Sequence, residues 1–379
     1  MIKWLFKYGA VIFLFNTVLL SIVNTKALGG HIFLVLMGLY AFILLINPKQ
    51  IRKIIFHQAF SFFLILNIIN LSYFLLLHSL SDFEAVKYML ARGIQFSIIS
   101  FSVYYNFEYY KNKFLEHLTY IIFGVIIISL VTNPNIFSGR YSGIIWNPNM
   151  LASFSVIGFS ALLLNSKKKT NFDYFQLLIF LIISLATGSR GILVGIPLAF
   201  VFKFGFSLRN IIYALLAGVT YMVIITMQLD TSLNRFAEQS LFNDRLLQYQ
   251  YAYETFMLKP FIGHGLDKYA YIDLSLVPND IKSITIMGAH NGYLAFLTQY
   301  GILIGGAIIF IIFKKSIQIY FYFKNSKEYE RIYLFIIIYT LIASLFEVFM
   351  TGINAFNTIL FWFSLAILSH SKFKQVNEN

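Results

Sequence analysis

Residues 54–78 read IIFHQAFSFFLILNIINLSYFLLLH, a stretch that contains no Asp, Glu, Lys or Arg. A helix that crosses the hydrocarbon core of a bilayer needs about 20 predominantly apolar residues. The stretch is long enough and apolar enough to meet that requirement. Residues 54–78 therefore predict a transmembrane helix, and this prediction decides how the rest of the chain is interpreted.

Similar apolar runs fill most of the 379 residues on both sides of this stretch. Hydrophobic residues make up 59% of the chain and charged residues only 12%, whereas a soluble domain carries about 25% charged residues. The net charge of +13 does not indicate a nucleic-acid partner, because the basic residues lie in short clusters between apolar runs. The composition predicts an all-α integral membrane protein surrounded by membrane lipids.

Hydropathy predicts twelve transmembrane spans, with boundaries uncertain by about 2–4 residues. The eighth span is short and contains Pro197, which indicates a kinked or re-entrant segment. The basic start followed by an apolar run predicts an uncleaved first helix. The spans lie at 8–24, 30–47, 54–78, 89–106, 118–133, 150–165, 172–187, 191–206, 210–227, 290–313, 331–350 and 354–370.

The distribution of basic residues predicts the orientation, because cytoplasmic loops are enriched in Lys and Arg. Twelve spans with both termini in the cytoplasm satisfy this rule along the whole chain. The residues that define the cytoplasmic side are Lys3, Lys7, Lys49, Arg52, Lys53, Lys111, Lys113, Lys167, Lys168, Lys169, Lys203, Arg209, Lys314, Lys315, Lys324, Lys327, Arg331, Lys372 and Lys374.

One long polar segment interrupts the regular alternation of spans. Residues 228–289 form an external loop between the ninth and tenth spans, so the chain divides into 1–227, 228–289 and 290–379. Within the loop, residues 240–258 predict a helix that Pro260 ends. A loop of about 60 residues is uncommon in a compact protein and is often functional.

Arg190 is the most informative candidate residue, because it stands in Thr187-Gly-Ser-Arg-Gly191 between two apolar runs. One interpretation is an interfacial arginine that extends towards lipid headgroups. The other is an anion clamp, since a guanidinium binds phosphate oxygens through two hydrogen bonds and the adjacent glycines let a ligand approach the backbone.

His290 stands where the long loop ends, beside Asn291 and Gly292. A histidine at the start of a helix is often structural. It is also a candidate general base, because histidine titrates near neutrality and accepts a proton from a sugar hydroxyl. Glu254 and Glu347 are the alternative bases.

The remaining candidates each have a structural alternative. Arg245 either binds a second phosphate or pairs with Asp244 or Glu254. Arg140 and His264 are typical of turns, Arg92 of an arginine near the end of a span, and Glu347 of a carboxylate paired with a buried polar group. Asn149 and Asn291 are supporting polar residues.

The sequence predicts no cofactor and no metal site. The chain contains no cysteine, which excludes thiolate ligands and disulfides. The outer loops contain no Asp-x-Asp pair, and no Walker motif or cluster with metal-ligand spacing is present.

Taken together, these motifs resemble the O-antigen ligase and polymerase family of bacterial surface-polysaccharide enzymes. The resemblance extends from about residue 140 to about residue 305. It rests on the order of Arg140-Tyr-Ser-Gly143 with Asn147-Pro-Asn149, Thr187-Gly-Ser-Arg-Gly191, Asp244-Arg245, Pro260 with Gly263-His-Gly265, His290-Asn-Gly-Tyr-Leu294 and Tyr300-Gly301.

The resemblance implies about twelve helices, a long external loop and a position in the bacterial cytoplasmic membrane with the site on the external side. It implies metal-independent, inverting transfer of a glycan from an undecaprenyl-diphosphate-linked donor to an acceptor hydroxyl. Arg190 and Arg245, with a weaker case for Arg140 and Arg92, would bind the diphosphate, and His290 would be the base. A polysaccharide chain-length regulator is a candidate partner.

Two alternatives to polymerisation of repeat units stay open. A ligase would carry out the same chemistry with lipid A core as acceptor. A transporter for the lipid-linked oligosaccharide belongs to another functional class, and predicts charged residues near the bilayer midplane and two related halves. The stretch from Arg140 to Asn149 favours a polymerase.

Overall fold

The computed structural model describes residues 2–136, 139–205, 207, 209–210, 212, 243–282 and 288–378. The described residues form helices and loops, and one isolated bridge joins Ile22 to Ile145. The helices, numbered here in chain order, are α1 Ile2–Ser21, α2 Lys26–Ile46, α3 Pro48–Ile55, α4 Ser61–Leu77, α5 Phe83–Asn112, α6 Phe114–Thr132, α7 Pro148–Leu164, α8 Asn171–Ala186, α9 Gly191–Phe204, α10 Asn243–Leu258, α11 Asn279–Lys282, α12 Gly292–Phe323, α13 Tyr329–Ala343 and α14 Phe356–Glu378.

The all-α class is confirmed, and the protein has the character of a multi-pass membrane protein. Among the described residues, five helices are long and apolar enough to cross a membrane: Lys3–Ser21, Val23–Ile46, Gln58–Leu77, Phe114–Thr132 and Gly292–Phe323. Most of the ninth predicted span and all of residues 228–242 lie outside the described residues. The total of twelve spans and the division into three segments therefore stay predictions.

Three predicted spans have different limits in the structure. Residues 54–78 do not form one helix, because His57 interrupts them and its side chain accepts a hydrogen bond from Ala59 N at 3.2 Å. The fourth span is longer than predicted, since Asp82 caps the start of α5. The eleventh ends at Ala343, so Glu347 lies in the turn after α13 rather than in a span.

The centre of the bundle is formed by helices that are buried on nearly all sides. Almost every residue of α7 from Leu151 to Leu164 is buried, as is α14 from Phe356 to Ser371. Helix α7 packs against α6, α8 and α9, and α14 packs against α13, α5 and α1. Outer helices such as α2 expose large apolar side chains, which suits contact with lipid.

Helix α12 is interrupted near its start, and the long loop packs into the interruption. Gly301 has a φ of +70°, and a side chain there would overlap the backbone of Phe261. Ile302 N donates to Pro260 O at 2.7 Å, and His264 N donates to Thr298 O at 2.8 Å. The loop thereby supplies partners for backbone groups that the broken helix leaves open, and it fixes the start of α12.

The structure tests the predictions for the long loop and for the eighth span. The predicted helix of 240–258 is confirmed from residue 243 onward as α10, which ends two residues before Pro260, and residues 240–242 lie outside the described residues. Helix α9 contains Pro197 and has 14 residues. At 1.5 Å per residue it is roughly 21 Å long, shorter than the hydrocarbon core of about 30 Å.

Candidate functional site

The carboxylate of Glu347 connects side chains from three distant parts of the chain. Arg245 Nη2 donates to Glu347 Oε1 at 2.6 Å, and Asn149 Nδ2 donates to the same oxygen at 3.0 Å. His290 Nδ1 lies 3.3 Å from Oε2. Since a carboxylate only accepts hydrogen bonds, Glu347 holds an arginine, an amide and an imidazole around it.

A second layer of hydrogen bonds extends this arrangement. Arg140 Nη2 donates to Asn149 Oδ1 at 2.5 Å, and Arg140 Nε donates to the carbonyl oxygen of Thr187 at 3.2 Å. We call Arg140, Asn149, Arg245, His290 and Glu347 the Glu347 cluster. It brings together four predicted site residues and the predicted alternative base, from four segments of the sequence.

Asn149 reaches the cluster because the start of α7 is well defined. Asn147 is the N-cap and accepts from Asn149 N at 2.8 Å, while Pro148 occupies the first helical turn, where its missing N–H costs nothing. Gly143 has a φ of +57°, and a side chain there would overlap that of Ser129. The Asn-Pro-Asn and Tyr-Ser-Gly motifs thus shape the loop that carries Arg140.

Arg190 lies on the turn between α8 and α9, close to the cluster. The turn begins at the buried Thr187, whose hydroxyl accepts from Ser189 N at 3.2 Å. The positive charges of Arg245 and Arg190 both act on Tyr249, although burial is the larger effect and raises the pKa of this tyrosine. Arg190 and Arg245 therefore flank the same region of α10.

His290 is positioned by bonds between its neighbours and the end of α13. Asn291 caps α12 by accepting from Leu294 N at 3.0 Å, and its amide donates to Leu345 O at 3.2 Å. Gly292 N donates to Ser344 O at 2.7 Å. Because these bonds attach the start of α12 to residues just before Glu347, they set the distance between the imidazole and the carboxylate.

The backbone and side chain of His290 are arranged in an unusual way. Its φ of +39° lies in the left-handed region, where non-glycine residues are uncommon and often mark functional sites. Its side chain is 29% exposed. With Nδ1 donating to Glu347, Nε2 carries the lone pair and can accept a proton, as a general base requires.

The ionisation of Glu347 reflects its partners. Burial raises the pKa of this carboxyl, but the hydrogen bond from His290 and the charge of Arg245 outweigh burial, so the net pKa is lowered from 4.5. Glu347 is therefore a carboxylate at neutral pH. Such a group suits the orientation of an imidazole better than the removal of a proton from a sugar hydroxyl.

Two predicted site residues lie elsewhere. Arg92 is 3% exposed and donates from Nη2 to the carbonyl oxygens of Thr351 and Gly352, and from Nη1 to Gln95 Oε1 at 2.7 Å. It is buried within α5 rather than extended to the membrane surface. Glu254 accepts from Gln250 Nε2 at 2.9 Å and does not pair with Arg245.

The charges near Glu347 favour an anion. In this region, the described side chains of Arg140, Arg190 and Arg245 carry three positive charges and that of Glu347 carries one negative charge. The side chains of Arg245 and Glu347 are 16% and 22% exposed, so the groups are reachable from solvent while their interactions are only partly screened. Such a site can bind a diphosphate and stabilise negative charge on a leaving group.

The described residues contain no group of three or more His, Cys, Asp and Glu side chains that could bind a metal ion. Transfer without a metal stays a prediction from the sequence. His264, predicted to mark a turn, lies in the loop packed against α12 and places Nε2 2.7 Å from Thr255 O.

Sequence reasoning missed the central position of Glu347 and the contribution of Tyr249. The hydroxyl of Tyr249 donates to Leu345 O, which ties α10 to the turn that carries Glu347. Tyr249 follows Arg245 by four residues, so the two share one face of α10. That spacing was the only available signal for Tyr249. For Glu347, the signal was a lone carboxylate near the predicted external end of an apolar helix.

Comparison with known proteins agrees with the resemblance noted from the motifs. A family model described as O-antigen ligase matches residues 175–311. The matched segment contains Arg190, Arg245 and His290, whereas Arg140, Asn149 and Glu347 lie outside it. No curated protein matches the chain. The match confirms the predicted family resemblance and, at family level, supports a glycosyltransferase-like function in a membrane protein.

Proposed function

We propose that this protein is a glycosyltransferase of the external face of the bacterial cytoplasmic membrane. It transfers a glycan from an undecaprenyl-diphosphate-linked donor to the hydroxyl of an acceptor. The observation that supports this proposal most directly is the Glu347 carboxylate, which holds His290 and Arg245 at 3.3 and 2.6 Å. A base and an anion-binding group therefore lie on either side of one carboxylate.

His290 performs the proton transfer. A sugar hydroxyl is a weak nucleophile, and it needs a base within hydrogen-bond reach. His290 Nε2 takes the hydroxyl proton while Nδ1 keeps its hydrogen bond to Glu347, which stabilises the imidazolium that forms. The acceptor oxygen bonds to the anomeric carbon of the donor as the bond from that carbon to the phosphate oxygen breaks. Direct displacement inverts the anomeric configuration.

The arginines stabilise the leaving group. Undecaprenyl diphosphate leaves with the electron pair of the broken bond, and Arg190 and Arg245 bind its oxygens as negative charge develops. Arg140 supports them through Asn149. Arg245 also bonds Glu347. When the lipid-linked substrate binds, some N–H groups of this guanidinium therefore bond the carboxylate and others bond the diphosphate. No step requires a metal ion.

The acceptor we favour is the end of a second lipid-linked repeat unit, so that the reaction polymerises an O-antigen or capsular polysaccharide. The support is the similarity of the stretch from Arg140 to Asn149 to polymerases. A ligase would use the same residues with lipid A core as acceptor. Incubation with the donor alone distinguishes the two, because a polymerase then forms a ladder of longer lipid-linked products and a ligase does not.

The decisive experiment compares the wild-type protein with His290→Gln in detergent, with a lipid-linked donor, an acceptor and a chelator present. Glutamine keeps hydrogen bonding but cannot take the proton, so we expect transfer to fall by about 10²–10⁴-fold while the donor still binds. His31→Gln is the matched control, because His31 is exposed on α2 and lies outside the cluster.

Two outcomes would count against the proposal. If His290→Gln transfers glycan at the wild-type rate, His290 is not the base, and of the two alternative bases Glu347 is the one that lies in the cluster. If wild-type protein forms no product with several matched donors but moves the lipid-linked donor across vesicle membranes, the protein is a transporter instead.

A further inference from the structure

A cavity of about 260 Å³ lies at the end of α7 opposite to the Glu347 cluster. It is bounded by the start of α6, the end of α7 and the start of α8. The loop of residues 165–170 forms its rim and contributes Lys167, Lys168 and Lys169. The charge distribution predicts that this loop is cytoplasmic, so the cavity and the cluster lie on opposite sides of the membrane.

The lysines of the rim differ in their partners. Lys167 Nζ pairs with Glu116 Oε2 at 3.0 Å. Lys169 Nζ donates to the backbone oxygen of Asn165 at 3.1 Å. Within the part of the chain that the structure describes, neither Lys168 nor Lys169 has a carboxylate within ion-pair distance. Within the described residues, two of the three rim lysines are therefore not part of an ion pair.

The second acidic residue that lines the cavity, Asp173, already accepts hydrogen bonds from Thr170. Asp173 Oδ2 accepts from Thr170 N at 2.7 Å and from its hydroxyl at 2.9 Å in a capping box at the start of α8. Burial, and then the charge of Lys203, lower the pKa of Lys169. The charge of Asp173 acts on Lys169 only as a smaller effect, so an anion from outside the protein can still interact with Lys168 and Lys169.

The wall of the cavity has the opposite character to its rim. Leu162, Tyr120 and Phe172 line it, and the two aromatic residues are 47% and 50% exposed. In a membrane-spanning bundle, such half-exposed aromatic side chains face the lipid. The cavity therefore joins a cationic rim, at the predicted cytoplasmic surface, to an apolar wall that continues into the bilayer.

We propose that this cavity binds an anionic phospholipid, with the headgroup phosphate between Lys168 and Lys169 and an acyl chain along Tyr120 and Phe172. Basic pockets between helices on the cytoplasmic side are suited to anionic headgroups. A soluble phosphate would leave the apolar wall unused, which is why a lipid fits better. Because α7 and α8 extend from the cavity to Asn149 and Thr187, a bound lipid stabilises the helices on one side of the Glu347 cluster.

Thermal unfolding of the delipidated full-length protein in detergent tests the proposal without any measurement of catalysis. The midpoint is followed while phosphatidylglycerol, phosphatidylcholine with the same acyl chains, or glycerol phosphate is added. We expect only phosphatidylglycerol to raise it. In Lys168→Gln/Lys169→Gln the apparent affinity for phosphatidylglycerol should fall about 30-fold, from the contribution of two lysines near an anionic headgroup.

Two further variants make the result specific. Lys168→Arg/Lys169→Arg keeps both charges and should retain the response. Lys324→Gln/Lys327→Gln removes two lysines from another loop predicted to be cytoplasmic and should also retain it. The proposal is overturned if phosphatidylcholine or glycerol phosphate gives the same shift, if the glutamine variant at 168 and 169 responds like wild type, or if the control variant loses as much.

Discussion

Arg92 and the Glu347 cluster both contact the segment that connects α13 to α14. They differ in the groups that compensate their charges. Arg92 is buried, and neutral oxygens of Gln95, Thr351 and Gly352 accept its hydrogen bonds. Among the described residues no carboxylate pairs with it. Glu347 and Arg245 neutralise each other and remain partly exposed.

This difference separates a structural arginine from arginines available to a ligand. The described acceptors of Arg92 belong to the protein, and the cavity beside it has a volume of about 20 Å³, which is too small for a diphosphate. The groups around Glu347 can exchange partners with a substrate, because solvent reaches them. We therefore expect substitutions at Arg92 to change stability, and substitutions around Glu347 to change transfer.

The largest expected effect is the presence or absence of chemical labelling, which reports the side of the membrane on which a residue lies. The chain has no cysteine, so a single introduced cysteine is labelled without background. Tyr253→Cys on α10 should react with a membrane-impermeant reagent added to intact cells, whereas Lys168→Cys should react only after the cells are opened. External labelling at position 168 would invalidate the topology and place the Glu347 cluster on the wrong side.

Arg190 should show the next largest effect. Arg190→Ala should reduce transfer by at least about 10²-fold, since it removes a charge that stabilises the leaving diphosphate. Arg190→Lys should recover little, because an ammonium lacks the planar pair of donors. Both variants should be present at normal levels. Wild-type transfer by the lysine variant would support the alternative that Arg190 extends to lipid headgroups.

Arg92 should show the opposite pattern. Arg92→Met removes the donor to Gln95 Oε1 and to the carbonyl oxygen of Gly352, and leaves the carbonyl oxygen of Thr351 with the hydroxyl of Tyr88. Each buried acceptor that loses its donor costs about 1–3 kcal/mol. We expect a clearly lower midpoint of thermal unfolding. Transfer by the folded fraction, and the KM for donor, should stay within about twofold of wild type.

Lys87→Met is the matched control for Arg92→Met. Lys87 is on the same helix, but its side chain is 51% exposed and its partner is Glu84, so we expect a change within about 0.5 kcal/mol. A large loss of transfer by well-folded Arg92→Met protein would show that Arg92 contributes to the site after all, and would remove the contrast drawn above.

The smallest effect concerns pH. The pKa of Glu347 is lowered in the folded protein from 4.5, so its ionised form adds stability above about that pH, and this stability is lost as pH falls through the folded pKa. We expect wild type to unfold at a higher temperature than Glu347→Gln at pH 6, and the difference between the two midpoints to shrink as the pH falls below 4.5. Midpoints that stay equally far apart would mean that Glu347 ionisation does not stabilise the fold.

Much of the fold followed from the sequence, because hydropathy reports directly on contact with lipid. Residues 54–78 show where this argument stops, since average hydropathy could not locate the interruption at His57. The polar motifs were informative for a related reason. A polar residue between apolar runs costs free energy in a membrane and is often functional. For this reason Arg190 and His290 were chosen as candidates.

The sequence by itself determined that this is a helical membrane protein, which motifs carry its polar residues, and which family they resemble. Only the tertiary structure decided that Glu347 contacts Asn149, Arg245 and His290. It also decided that Arg92 bonds the segment between α13 and α14. The physical reason is the sequence separation of the interacting residues. Helix formation depends on neighbouring residues, whereas the bond between Asn149 and Glu347 connects positions 198 residues apart and exists only because the packing of α7, α10, α12 and α13 brings their ends together.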